Sequence, residues 1–309
     1  MRKVLILGGY GFLGKNLNQI FGQDENYIIK NESRRTGVNV LDYNVLKAAV
    51  FNFDPDIIIN AVAHVGSVKY VMENPVSVAH DNIQMVLNIF KVCDELNKEL
   101  LLINPLSNCA YPDTNNIQVE SEFWSGPMHH SVQPYGISKK VICTLTDAYR
   151  KENSKLNVVN LIMPNAFGPG DYMDPVKVHA LNGIILRMIN AQYANDKEFV
   201  LWGSSKPIRE WLFMQDAARI MYKIIDEQLD IPELINIGQE QGFSIRESAE
   251  VIRKLLDYDV EFKIDLSYPD GTPKKVMSSK LFRKYFPTFE FTTYKEGIRK
   301  SIEYYKSIL

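Results

Sequence analysis

The feature that most constrains this chain is a set of three glycines placed directly after its first apolar run. Residues 3–8 read KVLILG, and Gly8, Gly11 and Gly14 then form G-x-x-G-x-x-G as helical periodicity begins through Leu13, Leu17 and Phe21. Strand, tight glycine turn and helix is the context in which such a string cradles a pyrophosphate. Glycine permits the turn, lets phosphate approach the backbone and lets the helix pack close to the sheet. The helix N-terminus adds free N–H groups and a positive dipole end. The segment, with Phe12 and Leu13 opening its helix, is predicted to bind a dinucleotide.

The rest of the first half repeats this alternation. YIIK (27–30), DIIINAVA (56–63), LLLINPLS (100–107) and NVVNLIM (157–163) read as strands, and 75–97 and 134–152 as helices, the first opened by Pro75. Strands with all-apolar centres that alternate with helices predict an α/β fold, a Rossmann-type doubly wound parallel sheet. After Pro164 the pattern loosens into a smaller α/β C-terminal substrate domain. It has a helix over 178–193, strands at KEFVLWG, IREWLF and ELINIG, a capping box at Ser244 and Glu247, a turn-rich SYPDGTPKK loop and an amphipathic final helix. The expected division is 1–165 plus about 214–240 for the cofactor, and 166–213 plus about 241–309 for the substrate.

Composition narrows the class. With 309 residues, 46% of them hydrophobic, the chain can bury a full core, and a net charge of −2 does not suit a protein built to grip nucleic acid or anionic lipid. There is no apolar run long enough for a membrane span and no secretory leader pattern at the start. Cys93, Cys109 and Cys143 are an odd count without metal-type spacing, so no metal is expected and a reducing cytoplasm suits the chain.

Two further groups carry chemistry. The second strand ends in Lys30-Asn31-Glu32-Ser33-Arg34-Arg35. A hydroxyl and two guanidiniums suit the 2′-phosphate of NADP(H), whereas Glu32 would serve NAD if the strand ran two residues longer. Asp42 either contacts adenine or caps the next helix. Tyr135 and Lys139 are spaced to share one helix face, where an ammonium favours the phenolate, and Ser107 ends a strand 28 residues before Tyr135. His64, His80, His129 and His130 have no assigned role.

These motifs, in this order, resemble the extended short-chain dehydrogenase/reductase family, and within it the GDP-L-fucose synthases. The resemblance runs nearly end to end through ILGGYGFLG, INAVAHVGS (59–67), SNCAYP (107–112), PYGISK (134–139), PNAFGPGD (164–171), LWGSSKPIREWL (201–212) and PDGTPKK (269–275). It implies a GDP-linked 4-keto sugar as substrate and a homodimer built on helices 75–97 and 134–152. It implies that Tyr135 protonates the C4 oxygen as NADPH delivers hydride, that Lys139 holds the nicotinamide ribose, and that Ser107 bonds the keto oxygen. Cys109 and His179 match the acid/base pair that epimerises C3 and C5. Ala61, Ala63, Pro164 and Asn165 match cofactor-lining positions, Asn165 also near the sugar. His179, Arg187, Trp202, Arg209 and Lys275 match nucleotide-sugar-binding positions.

Three segments depart from that pattern, and all border the expected sugar. The stretch Asn104–Cys109 stands where Gly-Ser-Ser-Cys is usual, MHHSVQ precedes Pro134, and DYMDPVKVH replaces a segment richer in Asn, Ser and His. The expectation is a C4 reductase with a retained GDP end and a different sugar, such as a heptose of a bacterial capsule or lipopolysaccharide pathway; it either epimerises C3 and C5 as well or leaves that inversion to a separate epimerase. The competing readings are a UDP-sugar 4-epimerase holding NAD and a non-catalytic nucleotide-binding scaffold.

Overall fold

The structure, a computed structural model, describes residues 1–152, 155–268 and 270–309; Pro269, the first residue of PDGTPKK, lies outside the described residues. The first half runs β1 (Arg2–Leu7), α1 (Phe12–Phe21), β2 (Tyr27–Glu32), α2 (Tyr43–Phe53), β3 (Ile57–Asn60), α3 (Val68–Glu73), α4 (Pro75–Glu95), β4 (Leu100–Ser107), α5 (Gln133–Glu152) and β5 (Leu156–Met163). The second half runs β6 (Asn165–Phe167), α6 (Ala180–Ala194), β7 (Glu198–Trp202), β8 (Ile208–Phe213), α7 (Met214–Asp226), β9 (Leu234–Asn236), β10 (Gly242–Ser244), α8 (Ile245–Leu255), β11 (Glu261–Asp265), β12 (Lys274–Lys275), α9 (Lys280–Tyr285) and α10 (Tyr294–Ile308).

Six parallel strands form the main sheet in the order β2-β1-β3-β4-β5-β9. Alternate residues serve opposite faces. Val4, Ile6, Ile57, Ile59, Val159 and Leu161 pack under α1 and α7. Leu5, Leu7, Ile58, Leu102, Val158 and Ile162 pack under α2, α4 and α5. Burial on both faces is why these strands read as unbroken apolar runs. The chain reverses its winding between β1 and β3, which opens a crevice at their carboxyl ends.

The second unit has its own core, in which α6, α8 and α10 cover β7 and β8. Residues 280–291, placed with this unit by the sequence reading, instead bury Phe282, Phe286 and Phe289 in the core beneath α1 and α7. Glu210 on β8 is fully buried and ties the units together, accepting the backbone N–H groups of Gln239, Glu240 and Met277. Burial raises its carboxyl to about 7, with those three donors opposing the rise. Among the described residues no helix is long and apolar enough to cross a membrane.

The central strands also carry a polar ladder. Asn60 donates to Asn104 at 3.0 Å, Asn104 to Asn160 at 3.1 Å, and Asn160 to the Thr146 hydroxyl at 3.0 Å. All four residues are buried. A buried amide N–H must find an acceptor, and each of the three here finds one on the next element. Asn104→Leu orphans a donor on Asn60 and an acceptor on Asn160. The expected cost is about 3 kcal/mol, from the usual penalty per unsatisfied group. Urea unfolding measures it, and a loss below about 0.5 kcal/mol, the ordinary surface level, would contradict the ladder's role.

Candidate active site

The glycine turn has the predicted geometry. Gly8 adopts φ +86°, and a Cβ there would lie 2.6 Å from the Ala61 carbonyl oxygen. A Cβ on Gly14 would lie 2.4 Å from the Gly8 carbonyl oxygen, so no other residue lets α1 approach so closely. Gly11 caps α1 and donates to the Gly8 carbonyl at 2.9 Å, with Phe12 and Leu13 buried as the helix begins. Ala61, whose N–H meets the Leu7 carbonyl at 2.8 Å, and the exposed Ala63 follow β3 on the other side of the crevice.

The second strand is longer than the sequence suggested and ends at Glu32. This is the placement that would make Glu32 an NAD-type acid. Its buried carboxylate, however, is already engaged by Lys30 at 2.9 Å and by the Thr36 hydroxyl at 2.5 Å. Ser33 caps the following turn, which displays Arg34 and Arg35 to solvent. The Arg35 guanidinium lies 5.9 Å from the ring centre of Tyr10 in the glycine turn. Arg35 thus stands beside the glycine turn, with Arg34 next to it in the exposed turn. Asp42 accepts the Val45 N–H at 3.1 Å and caps α2.

Ser107 ends β4, and its hydroxyl accepts the Cys109 N–H at 3.2 Å. Tyr135 and Lys139 lie in the first turns of α5, the ammonium 5.1 Å from the phenol ring centre. A Cβ on Gly136 would strike the Cys109 carbonyl at 2.8 Å, so glycine lets this helix close on the serine strand. Burial pushes the Tyr135 phenol above its usual range, with Cys109 adding to the rise. Burial pulls Lys139 down to about 8, against the opposing charge of Cys109. Burial therefore outweighs the expected effect of the ammonium on the phenol.

Cys109 meets two cations from the second unit. Lys275 and Arg209 are register partners on β12 and β8, and the Lys275 ammonium lies 3.2 Å from the Cys109 sulfur. Burial alone raises this thiol, but Lys275, Ser107 and Arg209 outweigh it and hold Cys109 below the range of a free thiol. Cys93 and Cys143 are raised to about 12, first by burial, although the Lys140 ammonium opposes the rise at Cys143. His129, which the sequence reading left without a role, belongs to the same neighbourhood. Its Nδ1 accepts the Ser131 N–H, and burial lowers its pKa, with Asp113 opposing and His130, Lys275 and Arg209 contributing.

His179 is anchored by the loop that precedes α6. Its Nδ1 bonds Asp171 at 2.9 Å and its backbone N–H bonds the other carboxylate oxygen at 2.9 Å. Asn182 donates to that second oxygen, and burial, which would raise Asp171, is outweighed by these bonds. The His179 ring lies 5.2 Å from that of Phe12, which brings it to the mouth of the cofactor crevice. Lys15 and Asn16 of α1 bond the Gly170 and Pro169 carbonyls and fix the loop that carries Asp171. That acid was visible in PNAFGPGD, eight residues before His179, but its partner was not. Pro164 is buried, and Asn165 donates to the Glu210 carbonyl at 3.3 Å.

Arg187 and Trp202 form one group. The guanidinium lies 4.0 Å from the indole centre, and Tyr268 stacks on the indole at 4.6 Å and 9°. Burial brings Arg187 down to about 10, still charged at neutral pH. Arg209 is not a surface partner of Glu210. It lies toward Cys109 and Asp270, while Glu210 is turned into the core. Among the described residues no group of three or more His, Cys, Asp or Glu is placed to hold a metal ion.

Comparison with known proteins is consistent with this arrangement. The GDP-L-colitose synthase of Yersinia pseudotuberculosis is 26% identical over 305 residues, covering 98% of this chain and 97% of that protein. A GDP-L-fucose synthetase from Naegleria fowleri bound to NADP superposes with a TM-score of 0.87 at 26% identity, covering 99% of this chain and 93% of that one. A GDP-6-OMe-4-keto-L-xylo-heptose reductase from C. jejuni shares the fold, with a TM-score of 0.89 at 17% identity over 100% of this chain and 98% of that one. Residues 4–238 match the NAD dependent epimerase/dehydratase family, and the chain belongs to that family.

Proposed function

We propose that this protein reduces the C4 ketone of a GDP-linked 4-keto sugar with NADPH and also epimerises the carbons flanking that ketone. The chain is an NADP-dependent oxidoreductase. Arg34 and Arg35 are available to a 2′-phosphate, while Glu32 is engaged within its own strand and turn. The coarser substrate class, a GDP-sugar, rests on the relatives named above.

The observation that carries the epimerase half is the Lys275–Cys109 contact. A ketone acidifies the hydrogens on both neighbouring carbons. Inversion needs a base on one face and an acid on the other. A thiol held low by two cations and an imidazole oriented by a buried aspartate can take those parts. Tyr135 then protonates the C4 oxygen as hydride arrives, with Ser107 bonding that oxygen and Lys139 placed on the nicotinamide ribose. Arg187, Trp202, Arg209 and Lys275 are suited to a diphosphate and a planar base. The unusual segments at 104–109, 128–133 and 171–179 favour a sugar other than the usual 6-deoxyhexose, and a heptose of a bacterial surface polysaccharide fits that expectation. The helices α4 and α5 pack on one another and are the proposed basis of a cytoplasmic homodimer.

Tyr135→Phe is expected to lower NADPH oxidation at least about a hundredfold, the usual share of a general acid, with NADPH affinity unchanged. Unchanged turnover would overturn the assignment. With whichever of GDP-4-keto-6-deoxymannose and its 4-keto heptose counterpart the protein reduces, the product formed in deuterated water should carry deuterium at C3 and C5 by NMR. Cys109→Ser should remove most of that label, and oxidation without label in the wild type, after correction for uncatalysed exchange, would leave a dedicated C4 reductase. Lys275→Met should measurably slow iodoacetamide modification of Cys109 at neutral pH, because removing the ammonium lifts the thiol and leaves less of it as the reactive thiolate. An unchanged rate would show that Lys275 does not control the thiol.

A further inference from the structure

The reduction proposed above consumes one proton in each turnover. Hydride forms the new C4–H bond, the carbonyl π electrons move to oxygen, and that oxygen takes the Tyr135 proton. Tyr135 is left as a phenolate in a partly buried position and must be reprotonated before the next cycle. A second set of titratable side chains, outside the groups already described, includes a tyrosine of α3, the helix that packs on the turn leading into Tyr135.

His64 follows β3 one residue after Ala63, and hydrogen bonds reach every polar atom of the residue. Its Nδ1 bonds Asp81 at 2.8 Å and its Nε2 bonds the Tyr70 hydroxyl at 2.7 Å. The buried Asn82 brackets its backbone, accepting the His64 N–H at 2.9 Å and donating to its carbonyl at 2.8 Å. Tyr70 is fixed as firmly. Its ring closes on Gly66, where a Cβ would lie 2.6 Å away, and Ser67 caps its helix. The Ser67 N–H crosses to the Val176 carbonyl at 3.1 Å, in the segment that leads to His179. The helix α3, which carries Tyr70, packs on the 130–132 turn that leads into Tyr135. At the outer end, His80 is 72% exposed and bonds the second Asp81 oxygen at 3.2 Å. A surface cleft lined by Glu73, Asn74, His80 and Asp81 opens there.

Carboxylate, imidazole and hydroxyl in line are the arrangement by which one group's proton is controlled through another. We propose that the Asp81–His64–Tyr70 chain is the proton supply for Tyr135. The imidazolium of His64, held by the Asp81 carboxylate, gives its Nε2 proton to the Tyr70 oxygen. Tyr70 releases its own hydroxyl proton toward the Tyr135 phenolate, with water carrying it across the remainder. His64 is left neutral with its Nδ1–H on Asp81, Tyr70 is unchanged, and Tyr135 regains its O–H. Solvent then returns a proton to His64, whose side chain is 26% exposed. Imidazole is the side chain that ordinarily gains and loses a proton near neutral pH. His64 and Tyr70 act here as positioning and relay groups for a catalytic residue.

This inference rests on the reductase reading, and wild-type oxidation of NADPH with GDP-4-keto-6-deoxymannose tests that reading separately. The decisive experiment is stopped-flow NADPH oxidation by the full chain and its His64→Ala and Tyr70→Phe variants. Tyr135 starts protonated, so the first turnover should keep its wild-type rate in both variants. Steady-state kcat should then fall at least about tenfold, a modest share of a general acid/base effect. Added imidazole should restore kcat in His64→Ala and do nothing for Tyr70→Phe. An unchanged kcat in either variant would overturn the proposal. So would an equal slowing of first and later turnovers without response to imidazole, which would mark a structural role alone.

Discussion

The buried asparagine ladder holds in register the three central strands and the catalytic-helix candidate α5, on which the candidate site is built. Asn60 ends β3, just before Ala61 and His64. Asn104 lies on β4, three residues before Ser107. Asn160 lies on β5, which leads to Pro164 and Asn165, and Thr146 lies on the helix that carries Tyr135 and Lys139. A strand slipped by one residue would turn its amide to the opposite face and break the chain of donors. Apolar side chains alone specify such a sheet less sharply, because many of them are interchangeable. The ladder sets the relative height of hydroxyl, phenol and cofactor wall.

Around that frame the site is completed by groups from a different part of the chain. Lys275 and Cys109 are 166 residues apart in sequence, and they meet because β12 pairs with β8. Glu210, next to Arg209, holds the same region by accepting three backbone N–H groups. Neighbouring residues of one strand thus do opposite work. One places a cation at the thiol, and the other, turned the other way, fastens the strand to the main body.

Much of this was legible in the sequence, and the reason is local. The glycine turn, the Tyr135/Lys139 spacing, the Pro75 start and the Ser244/Glu247 box are set by contacts within a few residues. The doubly buried strands announced themselves by unbroken apolar runs. The short α3 lacked such a signal and was missed, as was the extension of β2 to Glu32, whose polar residues do not mark a strand. The Trp202–Tyr268 stack, the placement of His129 and the asparagine ladder all depend on long-range packing, and the Asp171–His179 pair on an irregular loop. No spacing rule carries that information. Residues 280–291 show the same limit, since their aromatic run reads equally well as core of either unit.

The state of Cys109 has a consequence for how the protein ages. Oxidation by peroxide begins at thiolate, and the reaction is selective among cysteines according to thiolate character and access. Cys93 and Cys143 are enclosed thiols held far from ionisation. Cys109 is partly open and sits against an ammonium. The same electrostatics that fit this sulfur to take a proton make it, of the three, the first to be lost to sulfenic acid. On the proposed roles, a stock kept without reductant would lose carbon-centre inversion before it lost hydride transfer, with no change of fold.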